Sequence, residues 1–140
     1  MRTHRTVAAA FAGLMLTLAA CSSGASPTPS GTVITGTLTE YKIALSAAAA
    51  PAGAVTFNVT NAGTMIHEFV ILKTDALAAA LPLANGLVNE ADFSKPGEVP
   101  ETDPGTSGTV TVNLKAGHYA IICNLVGHVG LGMVADFTVQ

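Results

Sequence analysis

Alternation of apolar and polar side chains dominates the chain from Thr32 onward and predicts β-structure. The clearest case is residues 54–60, where Val55, Phe57 and Val59 alternate with threonine and asparagine. A period of two is typical of a strand with one buried face. Apolar and threonine-rich runs predict further strands at 33–42, 43–46, 67–73, 109–114, 119–123 and 134–139.

Two stretches of this region depart from the strand pattern. Thr74 is a possible N-cap for a short helix over residues 75–81, which Pro82 would end. Residues 85–108 are rich in glycine, proline and acidic side chains, and we expect a loop there. Seven or eight short strands with turns between them favour an all-β antiparallel sandwich with one short helix.

The first 20 residues have the pattern of an export signal. Arg2 and Arg5 precede an apolar run over residues 7–20, which is short for a membrane span and ends in small residues. The following Leu-Ala-Ala-Cys resembles a bacterial lipobox, which implies cleavage before Cys21 and lipid attachment to its sulfur. The alternative is ordinary signal cleavage a few residues later, with Cys21 removed or left unmodified.

The composition of the remaining residues indicates a short tether followed by one domain. Residues 21–31, rich in serine and proline, are expected to form a flexible tether from lipidated Cys21, and residues 32–140 a single domain. Without the signal, four lysines face nine acidic residues, a formal charge of −5. Five of these acids lie between Glu90 and Asp103, most simply as a solvated loop. The chain has no basic patch, which argues against nucleic acid as a partner.

Cys123 has no cysteine left to pair with if Cys21 carries lipid, which is unusual in an exported protein. His128 and Met133 follow it at even five-residue steps, in a loop rich in glycine. His67, at the start of a predicted strand, supplies a second imidazole. Two histidines, one cysteine and a weak axial methionine are the ligands of blue-copper electron-transfer sites. We therefore predict one copper ion, cycling between Cu(I) and Cu(II), bound by His67, Cys123, His128 and Met133.

Two motifs make the chain resemble the cupredoxins, the broad plastocyanin/azurin family of small blue-copper proteins. The first is Asn61-Ala62-Gly63 shortly before His67-Glu68-Phe69, and the second runs from Gly117-x-Tyr119 through Cys123-x₄-His128-x₄-Met133. The ligand spacing is similar to that of auracyanin, rusticyanin and sulfocyanin. The resemblance implies a Greek-key β-sandwich over residues 32–140, with Met133 as the weak axial ligand.

The sequence alone does not assign the roles of several residues around these candidate ligands. Many family members have asparagine where this chain has Glu68; a carboxylate pointing inward would stabilise Cu(II), whereas one pointing outward would be a surface charge. Asn124, Leu125 and Val129 are candidates to support the ligands or line a docking face. Taken singly, Cys123 and Met133 are also common as core residues. His118 falls on the opposite strand face from Cys123 and is expected to be a surface residue, and Met65 a core or rim residue.

The function expected from these features is electron transport, not enzymatic catalysis. The chain would be a monomer, held on the outer face of the cell membrane by lipid on Cys21, and would meet its redox partner proteins transiently. The alternatives are a copper carrier that supplies an oxidase, an enzyme, and a metal-free adhesive domain. An oxidase of this lineage needs further copper centres, and an adhesive domain leaves Cys123 unexplained. Zinc also binds cysteine and histidine ligands.

Overall fold

The computed structural model describes residues 31–140, and nine β-strands and two short 3₁₀ helices occur within that range. The 3₁₀ helices are Ala78–Ala80 and Glu90–Asp92. The strands are β1 Thr32–Thr39, β2 Lys42–Leu45, β3 Ala49–Ala50, β4 Gly53–Asn61, β5 His67–Lys73, β6 Ser94–Thr102, β7 Ser107–Leu114, β8 Gly117–Ile122 and β9 Val134–Val139.

The strands form two sheets, which confirms the predicted β-sandwich. One sheet has the order β2-β1-β4-β7 and the other β3-β9-β8-β5-β6. Most neighbouring strands pair antiparallel, as expected, but β1 pairs with β4 in parallel and β3 pairs with β9 in parallel. Parallel neighbours need a connection that crosses to the other end of the sheet, and pairing order of this kind is not encoded in the alternation of a single strand.

The core lies between the two sheets and is formed by the apolar residues that alternate along the strands. Val55, Phe57 and Val59 of β4 are fully buried, whereas the residues between them face outward or lie at intermediate depth. Phe57 contacts Phe69 of β5 and Phe137 of β9, with ring centroids 5.4 and 5.3 Å apart. Aromatic side chains from both sheets therefore meet at the centre of the sandwich.

A second, smaller cluster covers the outer face of the β5–β8 sheet. Val70 and Leu72 of β5 are buried there together with Ala78, Leu81 and Val88. This cover explains why β5 is a continuous apolar run, since a strand buried on both faces loses the alternation.

The predicted helix over residues 75–81 is wrong in extent, because only Ala78–Ala80 is helical and it is a 3₁₀ turn. The Thr74 hydroxyl does accept a hydrogen bond from the Ala76 N–H (3.1 Å), but Leu77 is extended and interrupts any helix begun there. The Ala78 N–H donates instead to Asp136 Oδ1 (2.8 Å). This contact holds the segment against the sheet in place of a regular helix.

The loop expected over residues 85–108 is also wrong, because it contains the nine-residue edge strand β6. The two prolines of β6 are typical of a loop, and the sequence pattern therefore did not predict a strand. Proline is nevertheless tolerated at a sheet edge, where an N–H group needs no partner. β6 pairs with β5 through an irregular register. Gly97 of β6 lies so close to the facing sheet that a Cβ there would be 2.6 Å from Val112.

The signal segment, Cys21 and almost all of the predicted tether lie outside the described residues. Within the described range, no helix is long and apolar enough to cross a membrane.

Candidate metal centre

Strand pairing brings together two side chains that are 56 residues apart in sequence. β5 and β8 are antiparallel neighbours, with Val70 opposite Ile122. The start of β5 and the end of β8 therefore lie at the same end of the sheet. His67 is the first residue of β5 and Cys123 directly follows β8, so both reach one point from rigid strand ends.

The distances between these side chains fit the binding of one metal ion. Cys123 Sγ lies 3.9 Å from His67 Nδ1 and 3.3 Å from His128 Nδ1, and the two imidazole centroids are 5.2 Å apart. The three ligand atoms lie within 4.8 Å of one another. Bonds of about 2.3 Å from a metal to thiolate and about 2.0 Å to imidazole, at about 110–120°, separate sulfur and nitrogen by about 3.5–3.7 Å. The observed separations bracket this value.

Met133 ends the loop between β8 and β9, and its backbone hydrogen bonds join the two ends of that loop. Its carbonyl accepts the Cys123 N–H (3.1 Å), and its own N–H donates to the His128 carbonyl (3.0 Å). Gly127 and Gly132 have φ angles of 84° and 97°, which glycine adopts without strain, and so permit the tight turns. His67, Cys123 and Met133 are 0% exposed and His128 is 7% exposed, so all four predicted ligands are buried together.

Hydrogen bonding and burial set the charge states of the ligands. The Glu68 N–H donates to Cys123 Sγ (3.4 Å). Burial raises the pKa of the Cys123 thiol, and the N–H groups of Glu68 and Leu125 oppose this increase. Burial, followed by the nearby His128, lowers the pKa of His67. The metal-free site at neutral pH therefore holds a protonated sulfur and a neutral His67 imidazole.

Glu68 itself is half-buried beside the ligand loop. Burial raises the pKa of its carboxyl, and the nearby Glu90 adds to the effect, while the backbone N–H of Asn124 opposes it. The carboxyl group is thus close to the backbone of the residue that follows Cys123. The Glu68 N–H, which donates to Cys123 Sγ, joins the segment carrying His67 to the segment carrying Cys123.

Asn124 joins the ligand loop to the segment after the first 3₁₀ turn. Its Oδ1 accepts the Val88 N–H (2.8 Å), and its Nδ2 donates to the Val88 carbonyl (3.0 Å) and to Glu90 Oε1 (2.9 Å). Glu90 in turn pairs with Lys95 Nζ (2.9 Å). Asn124 therefore ties the residue after Cys123 to Val88 and Glu90 at the side of the site.

A tight turn at Asn85 and Gly86 supports the same loop. Both residues have positive φ angles (54° and 81°), as in the two-residue turns of β-hairpins, and Ala84 and Leu87 exchange both backbone hydrogen bonds. The Gly86 carbonyl accepts the Gly127 N–H (3.0 Å). Asn85 and Gly86 begin the region, residues 85–108, that the sequence predicted as a loop, and their turn therefore contributes to the shape of the site.

The other residues singled out in the sequence occupy varied positions. Leu125 is half-buried against the main core, but Val129 is buried in the second cluster and is not available to a partner. Val126 and Leu131 of the same loop are 72% and 60% exposed. His118 lies away from the ligands, between the Thr74 carbonyl (2.8 Å) and Asp136 (3.0 Å).

Asn61 and Gly63 organise the segment before His67, a role that the sequence motif did not reveal. Asn61 is buried; its Nδ2 donates to the carbonyls of Met65 and Thr102 (both 2.7 Å), and its Oδ1 accepts the Gly63 N–H (2.9 Å). His67 Nε2 finds no hydrogen-bond partner among residues 31–140. A Cβ on Gly63 would lie 3.0 Å from this nitrogen.

We expect Gly63→Ala to destabilise the metal-free protein by about 1–3 kcal/mol, the usual cost of overpacking. The added methyl group would meet Glu40 Oε1 at 2.9 Å, His67 Nε2 at 3.0 Å and Asn61 Oδ1 at 3.2 Å. Gly130→Ala is the matched control in the other ligand segment, since its methyl group has only ordinary contacts of 3.5 Å and longer. Urea unfolding measures both variants; equal stability of the two would contradict the tight packing at Gly63.

Comparison with known proteins identifies the architecture. No protein-family model matches the sequence, and no curated protein matches it. Among solved structures, the chain is similar to reduced auracyanin from Roseiflexus castenholzii, with 22% identity and a TM-score of 0.60 over 79% of this chain and 98% of that one. Auracyanin A from Chloroflexus aurantiacus, a "blue" copper protein, is 22% identical with a TM-score of 0.53, over 77% and 99%.

Rusticyanin from Thiobacillus ferrooxidans is also similar, at 18% identity and a TM-score of 0.56, over 79% of each chain. Likeness at these identities establishes the fold and no more. The chain has the cupredoxin β-sandwich, as its two motifs predicted, with His67, Cys123 and His128 clustered at one end.

Proposed function

We propose that this protein binds one copper ion as a type 1 site and acts as a one-electron carrier. The observation that carries the proposal is the convergence of His67 Nδ1, Cys123 Sγ and His128 Nδ1. The buried Met133 is joined to Cys123 and His128 by backbone hydrogen bonds. This donor set is that of blue-copper centres. When bound, copper supplies a single-electron couple.

The protein's contribution is to hold the ligands before the metal arrives. Cys123 and His67 are attached to strand ends, and the His128 loop is fixed by Asn124 and by the Gly86 carbonyl. A set of donors that suits Cu(I) and Cu(II) about equally, and cannot rearrange, keeps the structural change on electron transfer small. Burial of all four side chains also keeps water away from the site.

Electrons would leave through His128. The ring is at the edge of the buried site, and the exposed Val126 and Leu131 belong to the same loop. An apolar surface beside the imidazole suits partner proteins that dock briefly, in the small and weak interfaces of redox encounters. We therefore propose transient redox partners and a monomeric carrier.

Lipid anchoring at Cys21 is consistent with the position of Thr32, the start of the domain, at the end opposite the metal site. β1 runs in parallel with β4 from Thr32 towards Asn61, which contacts the His67 segment. Thr32 therefore lies about 23 Å of strand away from the metal end. A ten-residue tether, residues 22–31, can span at most about 35 Å. Such an anchor would attach the domain to an extracytoplasmic membrane surface at the end opposite the metal site and leave the metal end free to meet partners. Loss of membrane attachment in Cys21→Ala would support the anchor, and unchanged attachment would oppose it.

Burial of the ligands favours an electron carrier over a copper carrier. A protein that hands its metal to an acceptor needs ligands that the acceptor can reach, whereas His67, Cys123 and Met133 are fully enclosed. An enzyme of this lineage needs additional copper centres, and within residues 31–140 one cluster of metal-binding side chains is found.

Two measurements on the copper-loaded protein separate these functions. An electron carrier gives a reversible one-electron wave in voltammetry and keeps its copper when mixed with a Cu(I)-binding acceptor protein. A copper carrier gives up its metal to the acceptor within minutes. Rapid, complete transfer without a reversible wave would contradict the proposed function.

Copper affinity should depend on pH because binding displaces the Cys123 proton. The pKa of this thiol is raised and that of His67 is lowered, so the thiol is protonated and His67 is neutral between about pH 7.5 and 8.5. The apparent affinity should therefore rise about tenfold per pH unit across this window. Competition with a chelator of known pH dependence measures the slope; an affinity that is independent of pH would show that no proton is displaced.

A further inference from the structure

The turn between β1 and β2 has a backbone conformation that its sequence does not favour. Glu40 and Tyr41 form the turn, and Thr39 pairs with Lys42 across it. Tyr41 has a φ angle of 58°, in the left-handed region that glycine and asparagine occupy far more readily than a bulky residue does. Such a conformation persists only where surrounding contacts hold it, and it is enriched at functional sites.

One contact that holds Tyr41 is with a metal ligand. Its ring meets the His128 imidazole edge to face, with centroids 5.5 Å apart and planes at 83°. Tyr41 is 38% exposed, so its ring contacts the imidazole at the surface of the domain and is not part of the core. His128 is carried by a glycine-rich loop, and the Tyr41 ring packs against it from outside that loop.

The neighbouring residue of the turn reaches the other ligand segment. Glu40 Oε1 accepts hydrogen bonds from the Thr64 N–H and from the Thr64 hydroxyl (2.9 Å). The Thr64 N–H is the main reason that the pKa of Glu40 falls to about 2. Thr64 is three residues before His67. The Glu40 carboxylate also lies near this imidazole, since a Cβ on Gly63 would be 2.9 Å from Glu40 Oε1 and 3.0 Å from His67 Nε2.

We propose that the Glu40–Tyr41 turn is a clasp that positions both imidazoles, with Tyr41 fixing the ring of His128 and Glu40 fixing the segment that presents His67. This inference rests on the proposed metal site and adds two positioning residues to it. The clasp joins segments that come from different sheets, since β1 and β2 belong to one sheet and β5 and β8 to the other. It explains why a tyrosine occupies a position that glycine would fill with less strain.

The test compares Tyr41→Gly with Tyr41→Phe. Glycine removes the ring but also relieves the left-handed backbone, and because these two effects oppose each other the metal-free protein should keep about the stability of the unmodified protein in urea unfolding. Copper release to excess chelator should nevertheless be about two- to twelvefold faster, the equivalent of one edge-to-face aromatic contact. Phenylalanine keeps the ring and should restore the slow release.

A second readout does not depend on copper. In the metal-free protein, the ¹⁵N signals of the His128 imidazole should broaden or shift in Tyr41→Gly and stay unchanged in Tyr41→Phe. Unchanged imidazole signals and release rate in Tyr41→Gly would overturn the positioning role of Tyr41, as would a Tyr41→Phe variant that behaves like Tyr41→Gly. If Tyr41→Gly fails to fold, Tyr41→Asn, which also tolerates the left-handed region, replaces it.

A second pair of variants, Glu40→Gln and Glu40→Ala, tests the role of Glu40 in the clasp. Glu40→Gln retains an oxygen that accepts the Thr64 hydrogen bonds, whereas Glu40→Ala removes it. We expect the His67 imidazole signals of the metal-free protein to shift in Glu40→Ala and to be retained in Glu40→Gln. Identical His67 signals in both variants would overturn the role of Glu40. If the protein binds no copper at all, the proposed function fails, while these metal-free comparisons still decide the clasp.

Discussion

Cys123→Ser will abolish the intense visible colour of the copper-loaded protein. The colour of a type 1 site arises from charge transfer between a thiolate and Cu(II), and a serine oxygen is a harder, far less acidic donor. We expect complete loss of the visible band and at least a hundredfold weaker copper binding, equivalent to about 2.7 kcal/mol. Visible absorption and competition with a chelator measure the two effects.

Folding of the serine variant provides the control. The substitution is nearly isosteric, and the serine oxygen can accept the Glu68 N–H that Cys123 Sγ accepts in the unmodified protein. The metal-free variant should therefore lose no more than about 2 kcal/mol of unfolding free energy. A folded serine variant that keeps the colour would show that Cys123 is not a ligand.

Met133→Leu should keep the colour but raise the reduction potential. Without the thioether the site has one donor fewer, and Cu(I) tolerates a low coordination number better than Cu(II), so the balance shifts towards Cu(I). We expect an increase of about 60 mV or more, which is a tenfold change in the relative affinity for the two oxidation states. Because leucine and methionine have similar volumes, the buried position should lose less than about 1.5 kcal/mol of stability.

A matched exchange elsewhere separates ligation from packing. Leu72 is equally buried, but it belongs to the cluster on the outer face of the sheet, away from the ligand atoms. Leu72→Met should leave the potential of the copper site unchanged. An unchanged or lower potential in Met133→Leu would remove Met133 from the axial position.

The strands and the candidate ligands could be predicted from the sequence because each is a local pattern. Val55, Phe57 and Val59 alternate within a single strand, and Cys123, His128 and Met133 share one short loop. His67 could be included because the chemistry of the other three side chains requires a second imidazole. These predictions needed no knowledge of how distant segments pair.

The features that the sequence did not reveal depend on contacts between distant segments. β6 is a strand because it pairs with β5, although its prolines and glycine are typical of a loop. The helix predicted after Thr74 is replaced by a 3₁₀ turn because Asp136, about 60 residues later, binds the Ala78 N–H. Tyr41 carried no signal at all in the sequence, since only the fold places its ring against His128.

The most direct test of the account is a titration of the metal-free protein with Cu(II), followed by visible absorption and electron paramagnetic resonance. We predict an intense thiolate-to-copper band that grows linearly and stops at one copper per chain, with the small copper hyperfine splitting of a covalent Cu–S bond. A pale solution whose spectrum shows only nitrogen and oxygen ligands at one equivalent would contradict a site built from His67, Cys123 and His128.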